Sequence, residues 1–128
     1  MGHIGYTPQF KKKFKVEGQS TSKANKLLKE AKLIEKAGAF SIVLECLTPN
    51  SSALITKNIN IPTIGIGSSN QCDGQILVTD DMLGMSGFYP KFVKKYALIN
   101  RIIEKAVKKY TSDVRLNKFP KKENFLSE

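Results

Sequence analysis

Ser41-Ile42-Val43-Leu44-Glu45-Cys46-Leu47 is a short apolar run that carries one acid near its end. Consecutive β-branched and aliphatic residues mark a strand covered on both faces, the kind found in parallel sheets. A carboxylate in such a run is costly to desolvate, so a merely solvated role does not account for Glu45. Parallel α/β folds place their chemistry at strand C-termini. A second run, Ile61-Pro62-Thr63-Ile64-Gly65-Ile66-Gly67, follows at about one strand–helix–strand spacing. A third, Gln75-Ile76-Leu77-Val78, leads into Thr79-Asp80-Asp81. Strands are therefore expected over 41–46, 61–66 and 75–79. They should be mutually parallel, with Glu45, Gly67 and Asp81 near one common end.

The segments between these runs read as helices and loops. Residues 1–9 look like the end of a strand entering a loop, with Gly2 and Gly5 permitting unusual backbone angles and Thr7-Pro8 forming a turn. Ala24, Leu27, Leu28, Ala31 and Ile34 recur near a 3.6-residue period and predict a helix over 22–37, capped by Thr21 or Ser22 and stopped by Gly38. A shorter helix is expected over 51–58, with Ala53 and Leu54 inward. A longer one is expected over 90–113, with a break allowed. Its stripe of Phe92, Tyr96, Ile99, Ile102, Ile103, Ala106 and Tyr110 should face a core. The tail around Pro120 reads as a surface extension. Three strands and a fragment of a fourth would leave open edges as a free-standing sheet, so they fit better as half of a larger barrel.

Composition narrows the function classes. The chain has 128 residues, enough for one core but too few for a complete (β/α)8 barrel, which takes about 200 or more. An apolar content of 41% argues against general disorder. No stretch is long enough to span a bilayer, no secretion signal is read at the start, and Cys46 and Cys72 lack zinc-ligand spacing. A reduced cytoplasmic protein is the expectation, with Cys46 a small buried hydrophobe. The net charge of +10 raises nucleic acid as a partner. Its make-up argues the other way: only Arg101 and Arg115 are arginine, and base readout favours arginine. The lysines fall on polar helix positions, and the densest cluster, Lys11-Lys12-Lys13-Phe14-Lys15, sits in a loop.

Glu45 is the leading general-base candidate, because desolvation beside apolar neighbours strengthens a carboxylate as a proton acceptor. Held by an ion pair, the same residue would be purely structural. His3, the only histidine, lies between glycines at a strand end, where its ring can reach an open pocket or serve a structural bond. Asp80 and Asp81 would point to opposite sides of an extended segment and do not make a carboxylate pair. Gly65-Ile66-Gly67 permits close backbone approach but lacks the full dinucleotide-loop pattern.

These residues together resemble the C-terminal half of the ketopantoate hydroxymethyltransferase (3-methyl-2-oxobutanoate hydroxymethyltransferase) family. The matching segments are Gly2-His3-Ile4-Gly5-Tyr6-Thr7-Pro8-Gln9, Lys15-Val16-Glu17-Gly18, Ala37-Gly38-Ala39 with Val43-Leu44-Glu45-Cys46, and Ile61 to Gly67. Asp73-Gly74-Gln75-Ile76-Leu77-Val78 and Pro90-Lys91-Phe92 complete the set. The resemblance implies that residues 1–128 are the C-terminal half of a single (β/α)8 (TIM) barrel domain with parallel strands, lacking the N-terminal half. It implies transfer of a one-carbon unit from 5,10-methylenetetrahydrofolate to 3-methyl-2-oxobutanoate, giving 2-dehydropantoate for pantothenate synthesis. Magnesium would activate the keto acid as a Lewis acid. Glu45 matches the proton acceptor, and His3 matches the histidine beside the substrate.

The family's magnesium ligands belong to the N-terminal half, so no metal ligand is carried onto this chain. Lys11-Lys12-Lys13-Phe14 stands where the family commonly has paired glycines. Ser68 and Ser69 stand where it often has a small residue and glycine. Isolated, such a half is expected to be inactive and to need the missing half-barrel; the resemblance implies a homo-oligomer for the whole protein and leaves the oligomeric state of a half-barrel open. Two other readings stay open: a basic nucleic-acid-binding module without enzymatic activity, and a structural remnant.

Overall fold

Four parallel strands lie side by side in chain order in the computed structural model, which describes residues 1–10 and 15–126. They are β1 (Gly2–Gly5), β2 (Ile42–Glu45), β3 (Thr63–Ile66) and β4 (Gly74–Gln75). The registers align Gly5 with Glu45 and Glu45 with Ile66. Helices α1 (Thr21–Lys36) and α2 (Pro49–Asn58) make the first two crossovers. All four strands run parallel in sequence order, the arrangement of half a (β/α)8 barrel. The chain forms two compact units, Met1–Leu77 and Val78–Glu128.

In the first unit the strands sort their side chains by period two. Ile4, Ile42 and Leu44 point to the helices and pack with Leu27 and Ala31 of α1 and Ile55 of α2. Ala31, Ile42, Leu44 and Ile55 are fully buried, each large aliphatic contributing about 1.5–3 kcal/mol of transfer free energy. His3, Val43, Glu45 and Ile64 alternate with them and lie on the opposite face, only partly covered. The core face thereby fixes which side chains the other face presents, since a one-residue slip would exchange the two sets.

Helix α1 starts one turn position earlier than expected. Ser20, not Thr21 or Ser22, is the cap, its Oγ accepting from the Lys23 N–H at 3.3 Å. The helix stops at Ala37, and Gly38 follows at φ +90°. Thr48 caps α2, with Pro49 in the first position where a missing N–H costs nothing. The exit of β2 is tied to the segment before α1. Glu17 N–H donates to Cys46 O at 2.8 Å, and Thr48 N–H donates to Glu17 O at 3.0 Å.

Between β3 and β4 the strand–helix alternation gives way to a loop. Residues 67–73 connect them without a helix, and the buried Cys72 of this connection fills the core in its place. The third expected strand, 75–79, is also shorter than the apolar run implied. Ile76 N–H still donates to Gly65 O at 3.0 Å, but Val78 already caps the short helix α3 (Thr79–Leu83). Asp80 and Asp81 sit in its first turn, where the helix dipole favours them.

In the second unit the helix expected from Pro90 begins only at Ile99, as α4 (Ile99–Arg115). Val93 N–H closes a turn on Pro90 O at 2.9 Å, and Tyr96 N–H is taken by Met82 O at 2.8 Å. These tertiary bonds hold the segment off the helical path. Gly84 permits the approach, because a Cβ there would lie 2.4 Å from Ala97 O. The apolar stripe of α4 has the predicted period but not the predicted destination. None of its residues is buried, and Ile102, Val107 and Tyr110 are more than half exposed. Tyr110 packs edge-on against Phe119, with ring centroids 5.6 Å apart. The lysine cluster at 11–14 lies outside the described residues. Those of α1, from Lys23 to Lys36, all face solvent.

Candidate active site

Glu45 is the last residue of β2 and sits on the face away from the helices. His3 lies on the same face of β1, diagonal to it across the parallel register, since Gly5 is the residue directly opposite Glu45. Their side chains meet: His3 Nε2 is 2.9 Å from Glu45 Oε2. An ionised carboxylate can only accept, so Nε2–H is the donor. The pair is partly covered, with side-chain exposures of 30% for His3 and 15% for Glu45. A charge-assisted bond in such a place is stronger than one in open water.

The backbone around Glu45 is held from both sides. Strand β1 ends at Gly5, whose φ is +94° and whose missing Cβ would fall 2.0 Å from the Glu45 carbonyl oxygen. Tyr6 N–H then donates to that oxygen at 2.9 Å. On the other flank, Cys46 takes a left-handed conformation at φ +55° and donates its N–H to Ile66 O at 2.9 Å. Its thiol is 1% exposed, and burial together with the Glu45 charge pushes it up to about 11. A thiol so protonated is no nucleophile near neutral pH, as the sequence reading held.

Beyond β3, Gly67 turns at φ +60°. Ser68 follows, and its hydroxyl donates to Leu44 O at 2.6 Å and accepts from Leu47 N–H at 3.3 Å. At the opposite end of β3, Asp73 accepts from both the N–H and the hydroxyl of Thr63, each at 2.8 Å. These bonds hold its carboxyl below the usual range. Thr56 completes the chain of bonds at 2.9 Å from the Thr63 hydroxyl. Asp81 is not at a strand end as expected. It belongs to α3 and accepts from the Ser86 hydroxyl. The structure thus joins His3 to Glu45 and leaves Asp80 and Asp81 in the other unit.

Among the described residues no three of His, Cys, Asp and Glu converge in a way that could hold a metal ion. His3 and Glu45 together offer one imidazole and one carboxylate, whereas a hard divalent cation takes about six oxygen ligands. These residues therefore do not fit a magnesium site of their own. No helix among the described residues is long and apolar enough to cross a membrane.

Comparison with known proteins decides the lineage. The profile of the ketopantoate hydroxymethyltransferase family matches residues 1–122. The chain belongs to that family. Among its relatives is the 3-methyl-2-oxobutanoate hydroxymethyltransferase of Francisella tularensis subsp. tularensis strain FSC 198. It is 52% identical over 128 residues, covering 97% of this chain and 48% of the relative. The proteins of the same name from Pseudothermotoga lettingae and Clostridium botulinum strain Alaska E43 are also 52% identical, with 48% and 45% of their lengths covered. The chain spans about half the length of the curated relatives it matches. Ser68, noted in the sequence only as a departure from the family's pattern, is the site-flanking residue that sequence reading missed. The one available signal was a hydroxyl directly after a strand-ending glycine.

Proposed function

We propose that the complete protein containing this chain transfers a hydroxymethyl group to 3-methyl-2-oxobutanoate, and that Glu45 is the base that opens the reaction. The observation that carries this reading is the His3–Glu45 pair at the end of adjacent parallel strands, on the face a closed barrel turns inward. Glu45 removes the proton from the carbon next to the keto group. The electron pair left behind forms the enolate, whose carbon bonds to the one-carbon unit delivered by 5,10-methylenetetrahydrofolate; the carbon–nitrogen bonds break, water supplies the hydroxyl, and 2-dehydropantoate and tetrahydrofolate leave. His3 holds the carboxylate through Oε2 and leaves Oε1 to take the proton, while its ring borders the substrate. Positioning of this kind makes a general base effective.

The described residues of this chain do not fit a metal site, so the ligands for the family's magnesium are assigned to the complementary half of the protein. That half is also assigned the apolar stripe of α4, which stands uncovered in a chain spanning about half of its relatives. On this reading residues 1–128 are the C-terminal half of one barrel domain, working in the cytoplasm and assembling into the family's homo-oligomer only when whole. The solvated lysines of α1 support a charged surface rather than a nucleic-acid groove.

The test is formation of 2-dehydropantoate from 3-methyl-2-oxobutanoate, methylenetetrahydrofolate and magnesium. The 128-residue chain is assayed by itself and together with the complementary half from the Francisella relative. Turnover only in the mixture is expected. Robust turnover by the chain alone would place the metal site within it and overturn the division of labour. Failure of the mixture, with tight salt-dependent binding to duplex DNA, would favour the nucleic-acid module.

A further inference from the structure

We propose that Ser68 is a positioning residue for Glu45, acting through the backbone rather than by touching substrate; the inference rests on Glu45 being the base. A single hydroxyl bonds on both sides of the Glu45-Cys46 dipeptide. It donates to Leu44 O at 2.6 Å and accepts from Leu47 N–H at 3.3 Å. The first distance lies at the short end of normal hydroxyl bonds. With its proton given to one partner and a lone pair to the other, the hydroxyl is committed to the main chain.

The need for such a staple is visible in the chain it spans. Cys46 carries a side chain yet sits at φ +55°, a conformation that persists only where the surroundings enforce it. Beyond Cys46 the main ladder gives way to an isolated parallel bridge between Glu17 and Leu47, which holds one side of the turn, and Ser68 holds the other. The Cys46 N–H still pairs with Ile66 O, but its carbonyl accepts from Glu17 N–H in the segment before α1. Leu44, Cys46 and Leu47 are 0%, 1% and 2% exposed, so water cannot take over the bonds that Ser68 makes. Slack here moves the Cα of Glu45 and with it the carboxylate that His3 orients. Proton transfer is sensitive to sub-ångström displacement of that kind.

The test uses the complete enzyme, built from this chain's sequence and the remaining residues of the Francisella relative. The variants are Ser68→Ala, Ser68→Thr and Glu45→Gln. Ser68→Ala should slow deuterium exchange at the β-carbon of 3-methyl-2-oxobutanoate about fivefold or more, since both bonds of the hydroxyl are lost together, with KM within about twofold of the parent's. Ser68→Thr keeps the hydroxyl and should restore the rate. Amide exchange at Leu47 should quicken about tenfold in Ser68→Ala and not in Ser68→Thr, a readout independent of turnover. A parental exchange rate in Ser68→Ala, beside a silenced Glu45→Gln, overturns this inference alone. Equal slowing in Ser68→Thr, with the Leu47 amide undisturbed, does the same. Unchanged exchange in Glu45→Gln removes the base assignment and this inference with it.

Discussion

Replacing Gly5 by alanine should damage the molecule far more than the same change at Gly38, although both glycines have nearly the same φ, +94° and +90°. The left-handed backbone costs any residue with a Cβ about 1–2 kcal/mol, so that part is common to both. The surroundings differ. A Cβ at Gly38 meets nothing within 4 Å, whereas at Gly5 it lies 2.0 Å from Glu45 O and 2.8 Å from Leu47 Cδ2. Neither neighbour can withdraw cheaply: one is backbone accepting from Tyr6 N–H, the other a core side chain. Overpacking adds about 1–3 kcal/mol. Gly38→Ala should thus cost about 1–2 kcal/mol and Gly5→Ala about 2–5 kcal/mol, a large fraction of a domain's stability. Urea unfolding of the purified chain, followed by far-ultraviolet circular dichroism, measures both as shifts in midpoint at constant slope. A Gly5→Ala variant no less stable than Gly38→Ala would refute the reasoning, because it would mean that β1 need not pass so close to the Glu45 carbonyl.

Acid should expose the Thr63–Asp73 bonds. The folded Asp73 carboxyl is held below its unfolded value near 3.8, so its contribution is complete above that pH and is lost as pH falls through the folded value. Thr63→Val removes one of the two donors. Its stability, about 1 kcal/mol lower at pH 7, should fall less than the parent's between pH 5 and pH 2.5 in the same urea assay; parallel losses would contradict the assignment. Cys46, with a thiol pushed up to about 11 and 1% exposure, should resist a disulfide reagent at pH 7.5 until denaturant is added. Rapid labelling of native Cys46 would show that the turn after Glu45 opens readily.

Where local pattern and tertiary need agree, the fold was legible in the sequence. The apolar run at 42–45 forms the expected strand, although Ile42 and Leu44 are buried and Val43 and Glu45 only partly covered, and the 3.6-residue period of α1 buries Ala24, Leu27 and Ala31 of the set it picks out. Legibility failed where a tertiary bond outweighed local preference. Ile76-Leu77-Val78 reads as strand, but Val78 caps a helix whose first turn is stabilised by Asp80 and Asp81. Phe92 and Tyr96 continue the period of α4, yet Tyr96 N–H is committed to Met82 O. The stripe of α4 shows the reverse limit: periodicity identifies an apolar face but not the surface that will cover it. At the site, Glu45 stood out because an acid in an apolar run needs a reason. Its bond to His3 depends on a register between strands nearly forty residues apart, which no local pattern encodes. Ser68 was invisible for the same reason, its partners lying 21 and 24 positions away.

Proton exchange at the β-carbon of 3-methyl-2-oxobutanoate, followed by nuclear magnetic resonance in heavy water, tests the central claim most directly because it reports the base step without folate. The comparison is between the complete enzyme carrying this chain and its Glu45→Gln variant, which keeps the shape of the side chain and removes its basicity. A fall of about a hundredfold or more is predicted, the usual loss on removing a general base. Exchange at the parental rate in a folded, substrate-binding Glu45→Gln enzyme would place the base elsewhere and leave the His3–Glu45 pair a structural bond.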